Sequence, residues 1–203
     1  MISSASPLGL GSASPRRRAL LEQLGIPVFV VTANIDERRR PSEDHAAYLE
    51  RITREKLIGV AADDRARLAD VLLVADTVVV TGGEILGKPA NEGEAHSMIE
   101  RLSGRSHEVR TRFALGRPGP AGASIVHAET VTTLVQFRPL AAEEIRNYVA
   151  TGEGTDKAGG YAIQGVGSFA VSRIEGSYAN VVGLPVCEVV VALQRHGFLG
   201  PFP

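Results

Sequence analysis

The chain has 203 residues, of which 44% are hydrophobic and 22% are charged, and its formal net charge is −1. This composition is sufficient for one domain with a hydrophobic core, and it excludes a global electrostatic field that would attract nucleic acid or an anionic membrane. The sequence contains no signal-peptide pattern and no apolar run of about 18 residues. Its single cysteine, Cys187, cannot form an internal disulfide, so we expect a cytoplasmic protein.

Strand and helix patterns alternate along the chain, which predicts an α/β fold with a mixed sheet. The predicted strands cover residues 8–12, 28–32, 71–81, 84–87, 107–115, 125–137 and 169–174. The predicted helices cover residues 15–24, 42–62, 92–102, 141–150 and 185–195. Gly82-Gly83 predicts a tight hairpin turn, whereas the Pro- and Gly-rich residues 117–123 predict a loop.

The start of the first helix predicts an anion site. Ser14 is a favoured N-cap residue, and Pro15 suits the first helical position. Arginines at 16–18 follow in the first turn, where the helix dipole disfavours cations. A bound phosphate would reverse this effect, because backbone N–H groups, hydroxyls and guanidiniums would converge on it. The alternative interpretation is a solvated basic turn.

Three further charged residues depart from their local pattern. Asp76 interrupts an otherwise apolar strand, where a carboxylate is costly unless it is paired, protonated or bound to metal. A two-residue hairpin turn pairs Thr77 with Lys88, and a one-residue bulge would pair Asp76 with Lys88 instead. Lys56 shares the apolar stripe of its helix, so it must snorkel or reach a polar cleft. The alternative to a catalytic role is a structural carboxylate for Asp76 and a simple ion pair for Lys88.

A glycine-rich segment at 152–165 follows a helix instead of preceding one, which excludes a Walker loop or a dinucleotide fingerprint. Its polar members Asp156, Lys157 and Gln164 could contact a ligand, because glycines permit close approach of the backbone. The alternative is an ordinary surface loop. The five histidines have no metal-ligand spacing, and no Gly-x-Ser-x-Gly elbow is present.

Five motifs in this order, SASPRRRALLEQLGI, ADTVV, LGKP, DKAGGYAIQG and GSYANVVGLP, resemble those of the Maf family of nucleoside triphosphate pyrophosphatases. The last two resemble the dTTP/UTP pyrophosphatase branch and not the 7-methyl-GTP branch, although Gly160 stands where the family has alanine. The resemblance implies an inosine-triphosphatase-like α/β fold with an elongated mixed sheet, flanking helices and a cleft between two lobes. We expect a single domain over residues 8–199, a disordered extension at 1–7 and a tail at 200–203.

The same resemblance implies hydrolysis of a nucleoside triphosphate to the monophosphate and pyrophosphate, with a divalent metal cation (Mg²⁺ or Mn²⁺) as cofactor. It also implies a homodimer that clears noncanonical nucleotides, with a link to arrest of cell division, and no nucleic-acid or membrane partner is expected. The implied catalytic residues are Glu37, Lys56, Asp76 and Lys88, of which Asp76 and Glu37 would also contact the metal. The implied substrate-binding residues are Ser12, Arg16, Arg17, Thr77 and Gln164, of which Arg17, Thr77 and Gln164 match positions associated with base choice.

The chemistry of these residues agrees with that reaction. Asp76 is our candidate general base for water, and Gln164 can offer a donor and an acceptor to a pyrimidine edge. One alternative is the same reaction on a modified purine nucleotide. Another is a nucleic-acid-binding regulator of cell division, in which the arginines at 16–18 and 38–40 contact phosphates.

Overall fold

The computed structural model describes residues 1–120 and 122–201, and it confirms the alternation of strands and helices. The strands are β1 (Leu8–Leu10), β2 (Val28–Val30), β3 (Leu72–Thr81), β4 (Glu84–Leu86), β5 (Ser106–Gly119), β6 (Gly122–Phe137) and β7 (Val171–Glu175). The helices are α1 (Pro15–Gln23), α2 (His45–Ala61), α3 (Glu92–Leu102), α4 (Ala142–Ala150), α5 (Tyr178–Val182) and α6 (Val186–Arg195). Short 3-10 turns complete the described elements.

The sheet is mixed, as predicted, with the strand order β2-β1-β3-β5-β6-β7 and with β4 paired to β3. Strand β1 runs parallel to both β2 and β3, whereas β4 is antiparallel to β3 and β7 is antiparallel to β6. The buried residues of β1 and the first half of β3 are almost entirely apolar, as expected for strands covered on both faces.

The chain divides into two compact units. The first comprises Met1–Asp76, Thr111–Thr130 and Gly183–Pro203, and the second comprises Thr77–Arg110 and Val131–Val182. A core of buried aliphatic side chains stabilises the first unit and includes Leu57, Val60, Leu72 and Val74. In the second unit α3 packs on α4.

A buried aromatic cluster also belongs to the second unit. The imidazole of His107 contacts the rings of Phe137 and Tyr161, and its Nε2 lies 2.8 Å from the Tyr161 hydroxyl. Burial lowers the pKa of His107 to about 4, so this imidazole is neutral at physiological pH.

The hairpin between β3 and β4 forms with the predicted two-residue turn. Gly82 and Gly83 have φ values of 57° and 80°, which is the left-handed backbone that such a turn needs. The ladder pairs Thr81 with Glu84 and Val79 with Leu86 without a bulge. The ladder ends before Asp76, Thr77 and Lys88, so the two predicted pairings with Lys88 stay predictions.

One local prediction was wrong, and one short element was not predicted. Residues 117–123 were predicted as a loop, but β5 continues to Gly119 and β6 begins at Gly122. Pairing between neighbouring strands outweighs the low strand propensity of proline and glycine there. The short helix α5 was missed, because five residues are too few to show a helical period.

The amino-terminal residues 1–7, predicted as a disordered extension, make defined contacts within the first unit. The N–H of Ile2 donates to the carbonyl of Phe198 at 2.8 Å, and the terminal amine lies 3.1 Å from the Asp70 carboxylate. In the predicted tail, the carbonyl of Gly200 accepts a bond from the Gln194 amide at 3.0 Å. Residues 202–203 of that tail lie outside the described residues.

Among residues 1–120 and 122–201, no helix is both long enough and apolar enough to cross a membrane.

Close packing of β5 on α2 gives a prediction about stability. A Cβ atom at Gly116 would lie 2.6 and 2.7 Å from the two terminal methyl carbons of Leu57, which is itself 1% exposed. We expect Gly116→Ala to lower the free energy of unfolding by about 1–3 kcal/mol through overpacking. The measurement is urea denaturation followed by circular dichroism.

The matched control is Gly119→Ala in the same strand, where the nearest atom to an added Cβ is a carbonyl oxygen at 3.5 Å. We expect that control to stay close to the parent chain. Equal midpoints for the two variants would contradict the packing argument.

Candidate active site

The parallel strands bring the amino-terminal motifs to one edge of the sheet. Strands β1 and β2 run in the same direction, so Ser12 after β1 and the segment with Glu37 after β2 both leave at their carboxyl ends. Strand β3 is parallel to β1 and continues past it to Asp76. Ligands of open α/β sheets bind beyond the carboxyl ends of parallel strands, which makes this edge the candidate site.

The centre of the site is an ammonium group held between two carboxylates. Nζ of Lys56 lies 2.6 Å from Oδ1 of Asp76 and 2.9 Å from Oε1 of Glu37. The side chains of Lys56 and Asp76 are each only 14% exposed, whereas that of Glu37 is 48% exposed. Of the two alternatives for Lys56, the structure therefore shows a polar partner and not snorkelling into solvent.

Helix α2 explains how Lys56 reaches this position. The other residues of the predicted apolar stripe are fully buried, namely Leu49, Ile52 and Val60. Lys56 therefore lies on the inward face of the helix. The helix begins at His45, and the N-cap Asp44 accepts bonds from the backbone N–H groups of Ala46 and Ala47. Lys56 thus points inward from a well-packed helix face, where its ammonium bonds to the Asp76 carboxylate.

The start of α1 has the predicted cap and adds a buried guanidinium. Oγ of Ser14 accepts a bond from the N–H of Arg17 at 3.4 Å, and Pro15 is the first helical residue. The Arg17 side chain donates to Oγ of Ser12 at 3.1 Å, to the carbonyl of Ala75 at 2.8 Å and to the carbonyl of Gly183 at 2.7 Å. Arg17 thus joins the turn after β1 to the residue that precedes Asp76.

Burial shapes the electrostatics of this guanidinium. Arg17 is 9% exposed, and its burial lowers the pKa, an effect that the nearby Asp76 carboxylate partly opposes. A guanidinium remains charged in proteins, so Arg17 contributes a fixed positive charge beside Ser12 and Asp76. The neighbouring arginines differ from it. Arg16 is partly exposed, and Arg18 is an exposed residue whose Nε lies 2.7 Å from Glu22 one turn on.

Two residues that hold the Glu37 segment were missed by sequence analysis. The Tyr48 hydroxyl donates to the Glu37 carbonyl at 3.0 Å, and burial together with the Asp76 and Glu37 carboxylates raises the Tyr48 pKa. The Arg51 guanidinium donates to the carbonyl of Arg38 at 3.0 Å and also bonds the Glu43 carboxylate. Tyr48 lies eight residues, or about two turns, before Lys56 on α2, and that spacing is the signal that could have indicated it. Arg51 lies five residues before Lys56 and has no such signal.

The arginines at 38–40 are occupied by contacts within the chain. Arg38 pairs with Asp36 at 2.8 Å, and Arg40 pairs with Glu55 at 3.0 Å. Nε of Arg39 donates to the Glu43 carbonyl at 2.7 Å. These contacts do not favour the alternative in which this cluster binds a nucleic-acid backbone.

The donor set fits a hard divalent cation that shares its ligands with a substrate. Asp76 and Glu37 are the carboxylates in question, and Mg²⁺ is commonly held by one or two carboxylates together with substrate phosphates and water. Within the described parts of the chain, 1–120 and 122–201, no group of three or more His, Cys, Asp or Glu side chains is placed to hold a metal. A metal at Asp76 and Glu37 would therefore take its remaining ligands from substrate or water.

The other predicted site residues belong to the second unit. Thr77 follows Asp76 on β3 and is half-buried, Lys88 follows β4 and is exposed, and Gln164 is exposed within the glycine-rich segment. In that segment Lys157 donates to the carbonyl of Glu153 at 2.7 Å and pairs with Asp156 at 2.5 Å. Lys157 is thus engaged by its own loop, and the roles of Thr77, Lys88 and Gln164 stay predictions.

The fold and the site define a member of a known family. The model of the Maf-like protein family matches residues 7–196, and the chain belongs to that family. Among curated relatives, a dTTP/UTP pyrophosphatase of Geobacter sp. (strain M21) is 48% identical over 96% of this chain and 98% of its own length. The dTTP/UTP pyrophosphatase of Hahella chejuensis (strain KCTC 2396) is 45% identical over 94% of this chain and 92% of its own length.

The contacts of Arg17 give a prediction about stability. A lysine at this position cannot reach the acceptors on Ser12, Ala75 and Gly183 together, so buried acceptors lose their donors. We expect Arg17→Lys to lower the free energy of unfolding by about 1–3 kcal/mol, measured by urea denaturation. The control is Arg18→Lys, an exposed neighbour for which we expect a change within about 0.5 kcal/mol. If both variants unfold at the same urea concentration, the Arg17 contacts do not stabilise the fold.

Proposed function

We propose that this chain is a nucleoside triphosphate pyrophosphatase that hydrolyses dTTP and UTP to the monophosphate and pyrophosphate. The observation that carries the proposal is the Lys56 ammonium between Asp76 and Glu37, beside a helix start with a buried arginine. The names of relatives at 45–48% identity over most of the chain support the same activity and the choice of pyrimidines.

The cationic groups of the site suit a triphosphate. In hydrolysis at the α-phosphorus, negative charge develops on the departing pyrophosphate, and fixed cations and N–H dipoles stabilise that charge. Ser12, Arg16 and the N–H groups at the start of α1 are proposed to bind phosphate oxygens. Lys56 and Lys88 are proposed to supply the remaining positive charge.

Asp76 is the proposed general base. Its Oδ1 is bound by Lys56, so the carboxylate is held in one orientation, and Oδ2 is the oxygen assigned to the attacking water. The proton of that water passes to Asp76 as the new bond to phosphorus forms and the bond to the pyrophosphate oxygen breaks. When bound, a divalent cation (Mg²⁺ or Mn²⁺) held by Asp76 and Glu37 would supply Lewis acidity toward phosphate oxygens.

Gln164, Thr77 and Arg17 are the proposed determinants of base choice. A glutamine amide offers a donor and an acceptor, which suits the uracil and thymine edge. Thymine differs from uracil by one methyl group, so one pocket accepts both bases. The contacts of Arg17 favour a second role, in positioning other site residues. Its side chain bonds to Ser12, the proposed phosphate ligand, and to the carbonyl of Ala75, which precedes the proposed general base Asp76.

The proposal extends to the setting of the enzyme. We propose a cytoplasmic homodimer that removes noncanonical nucleotides from the pool, with an effect on cell division. Hydrolysis of a modified purine nucleotide is the competing activity. A screen of common and methylated nucleoside triphosphates, with Mg²⁺ and with Mn²⁺, tests substrate and metal together.

The role of Asp76 is tested by Asp76→Asn, which keeps the shape of the side chain but cannot accept the proton. We expect kcat for release of pyrophosphate from dTTP to fall by about 10²–10⁴-fold, while circular dichroism stays that of the folded chain. Asp70→Asn, which alters an exposed carboxylate paired with the chain terminus, is the control and should keep the parent rate. A near-parent rate for Asp76→Asn would remove Asp76 as the base.

The role of Gln164 is tested by Gln164→Ala. Because the amide donor and acceptor are lost, we expect the ratio of kcat/KM for dTTP over dCTP to fall by about tenfold or more, with little change in kcat for dTTP. The measurement is steady-state pyrophosphate release on each nucleotide. An unchanged ratio would show that Gln164 does not select the base.

A further inference from the structure

Glu153 lies near the start of the glycine-rich segment, and its carboxylate binds the backbone just beyond the end of that segment. Oε1 accepts the N–H of Val166 at 2.8 Å, and Oε2 accepts the N–H of Gly167 at 2.8 Å. The hydroxyl of Tyr148 donates to Oε2 at 3.0 Å. One carboxylate therefore accepts three hydrogen bonds. Two of the donors are the backbone N–H groups of Val166 and Gly167, which come two and three residues after Gln164.

Tyr148 bonds the backbone on the amino-terminal side of Gln164. It lies on α4 with 3% exposure, and its hydroxyl oxygen accepts the N–H of Ala162 at 3.1 Å. The backbone is thus bonded two residues before Gln164 and again two and three residues after it. Gln164 itself is exposed, so its location depends on these neighbours and not on its own burial.

The glycines of the segment fit the same arrangement. A Cβ atom at Gly165 would lie 1.7 Å from Oε1 of Glu153, so no larger residue is compatible with the carboxylate in this position. A Cβ atom at Gly167 would lie 2.7 Å from the Tyr148 hydroxyl. The backbone approaches these two polar groups closely, which explains why Gly165 and Gly167 have no side chain.

The charge of Glu153 supports the arrangement. Burial raises its pKa, but the N–H groups of Gly167 and Val166 and the Tyr148 hydroxyl offset that effect, and the pKa is lowered overall. The carboxylate is ionised at neutral pH and accepts all its bonds as an anion, which strengthens them.

We infer that Tyr148 and Glu153, here named the Tyr148–Glu153 clasp, are positioning residues that set the selectivity of this enzyme for the nucleobase by fixing the backbone around Gln164. The inference rests on the proposed function, in which Gln164 contacts the base. In this role the clasp residues contact the backbone around Gln164 and not the substrate. Their effect is to hold the Gln164 amide where it meets the uracil or thymine edge, because a mobile amide could also adapt to the reversed donor and acceptor of cytosine.

The test is Glu153→Gln, which conserves shape but presents one amide oxygen and one NH₂ donor to two backbone N–H groups. We expect the dTTP-over-dCTP ratio of kcat/KM to fall by about tenfold, through a higher KM for dTTP with kcat nearly unchanged. Glu144→Gln is the matched control, since Glu144 on α4 also accepts a backbone N–H and pairs with Arg138. The control should keep the parent ratio even if it unfolds more easily.

A double-mutant cycle with Gln164→Ala separates this inference from the proposed function. If the clasp acts through Gln164, Glu153→Gln lowers the ratio in the parent chain but not further in the Gln164→Ala background. A full additional loss in that background overturns the inference, because Glu153 then acts elsewhere. If Gln164→Ala lowers the ratio and Glu153→Gln does not, the clasp fails while the proposed function stands. If Gln164→Ala itself leaves the ratio unchanged, the proposed role of Gln164 fails.

Two further variants keep the test decisive if Glu153→Gln folds poorly. Gly165→Ala displaces the same carboxylate without changing it, and Tyr148→Phe removes only the hydroxyl. Both should lower the dTTP-over-dCTP ratio in the parent chain and leave it unaltered in the Gln164→Ala background. If both variants fold and keep the dTTP-over-dCTP ratio of the parent chain, the inference is overturned.

Discussion

The contact between the Lys56 ammonium and two carboxylates is the interaction on which the candidate site depends. It brings together α2, β3 and the segment after β2 within the first unit of the chain. Two carboxylates that share one partner would repel each other without it, and a partly buried charge without its partner is strongly destabilising. The ammonium therefore compensates Asp76 and Glu37 before any substrate or cation binds. The carboxylate that we propose as general base is thus held by the same ammonium that we propose to bind phosphate.

Arg17 illustrates how the fold accommodates a buried charge in the first turn of a helix. Its position in the first turn of α1 opposes the helix dipole, but its side chain reaches Ser12 and two backbone carbonyls instead of solvent. The guanidinium is then a fixed element of the site. Its neighbours Arg16 and Arg18 have no comparable burial, so three successive arginines have three different environments.

Much of this arrangement was predictable because the signals are local. The Ser14 cap, Pro15, the Gly82-Gly83 turn and the stripe on α2 are patterns of backbone preference and periodicity, and each appears in the structure where it was predicted. The errors were also local. Residues 117–123 have the composition of a loop, yet pairing between β5 and β6 extends nearly through them, because a neighbouring strand supplies bonds that composition does not reveal.

The sequence by itself determined the order of the elements, the family and the list of chemically unusual residues, since caps, turns, apolar periods and motifs are written in contiguous residues. Only the tertiary structure decided which groups each of these side chains binds. Lys56 and Asp76 meet across 20 positions and Arg17 and Gly183 across 166, and such pairs follow from strand order and helix packing. The roles of Arg51 and Glu153 could not be predicted for the same reason: each binds backbone groups that only the folded chain brings within hydrogen-bond distance.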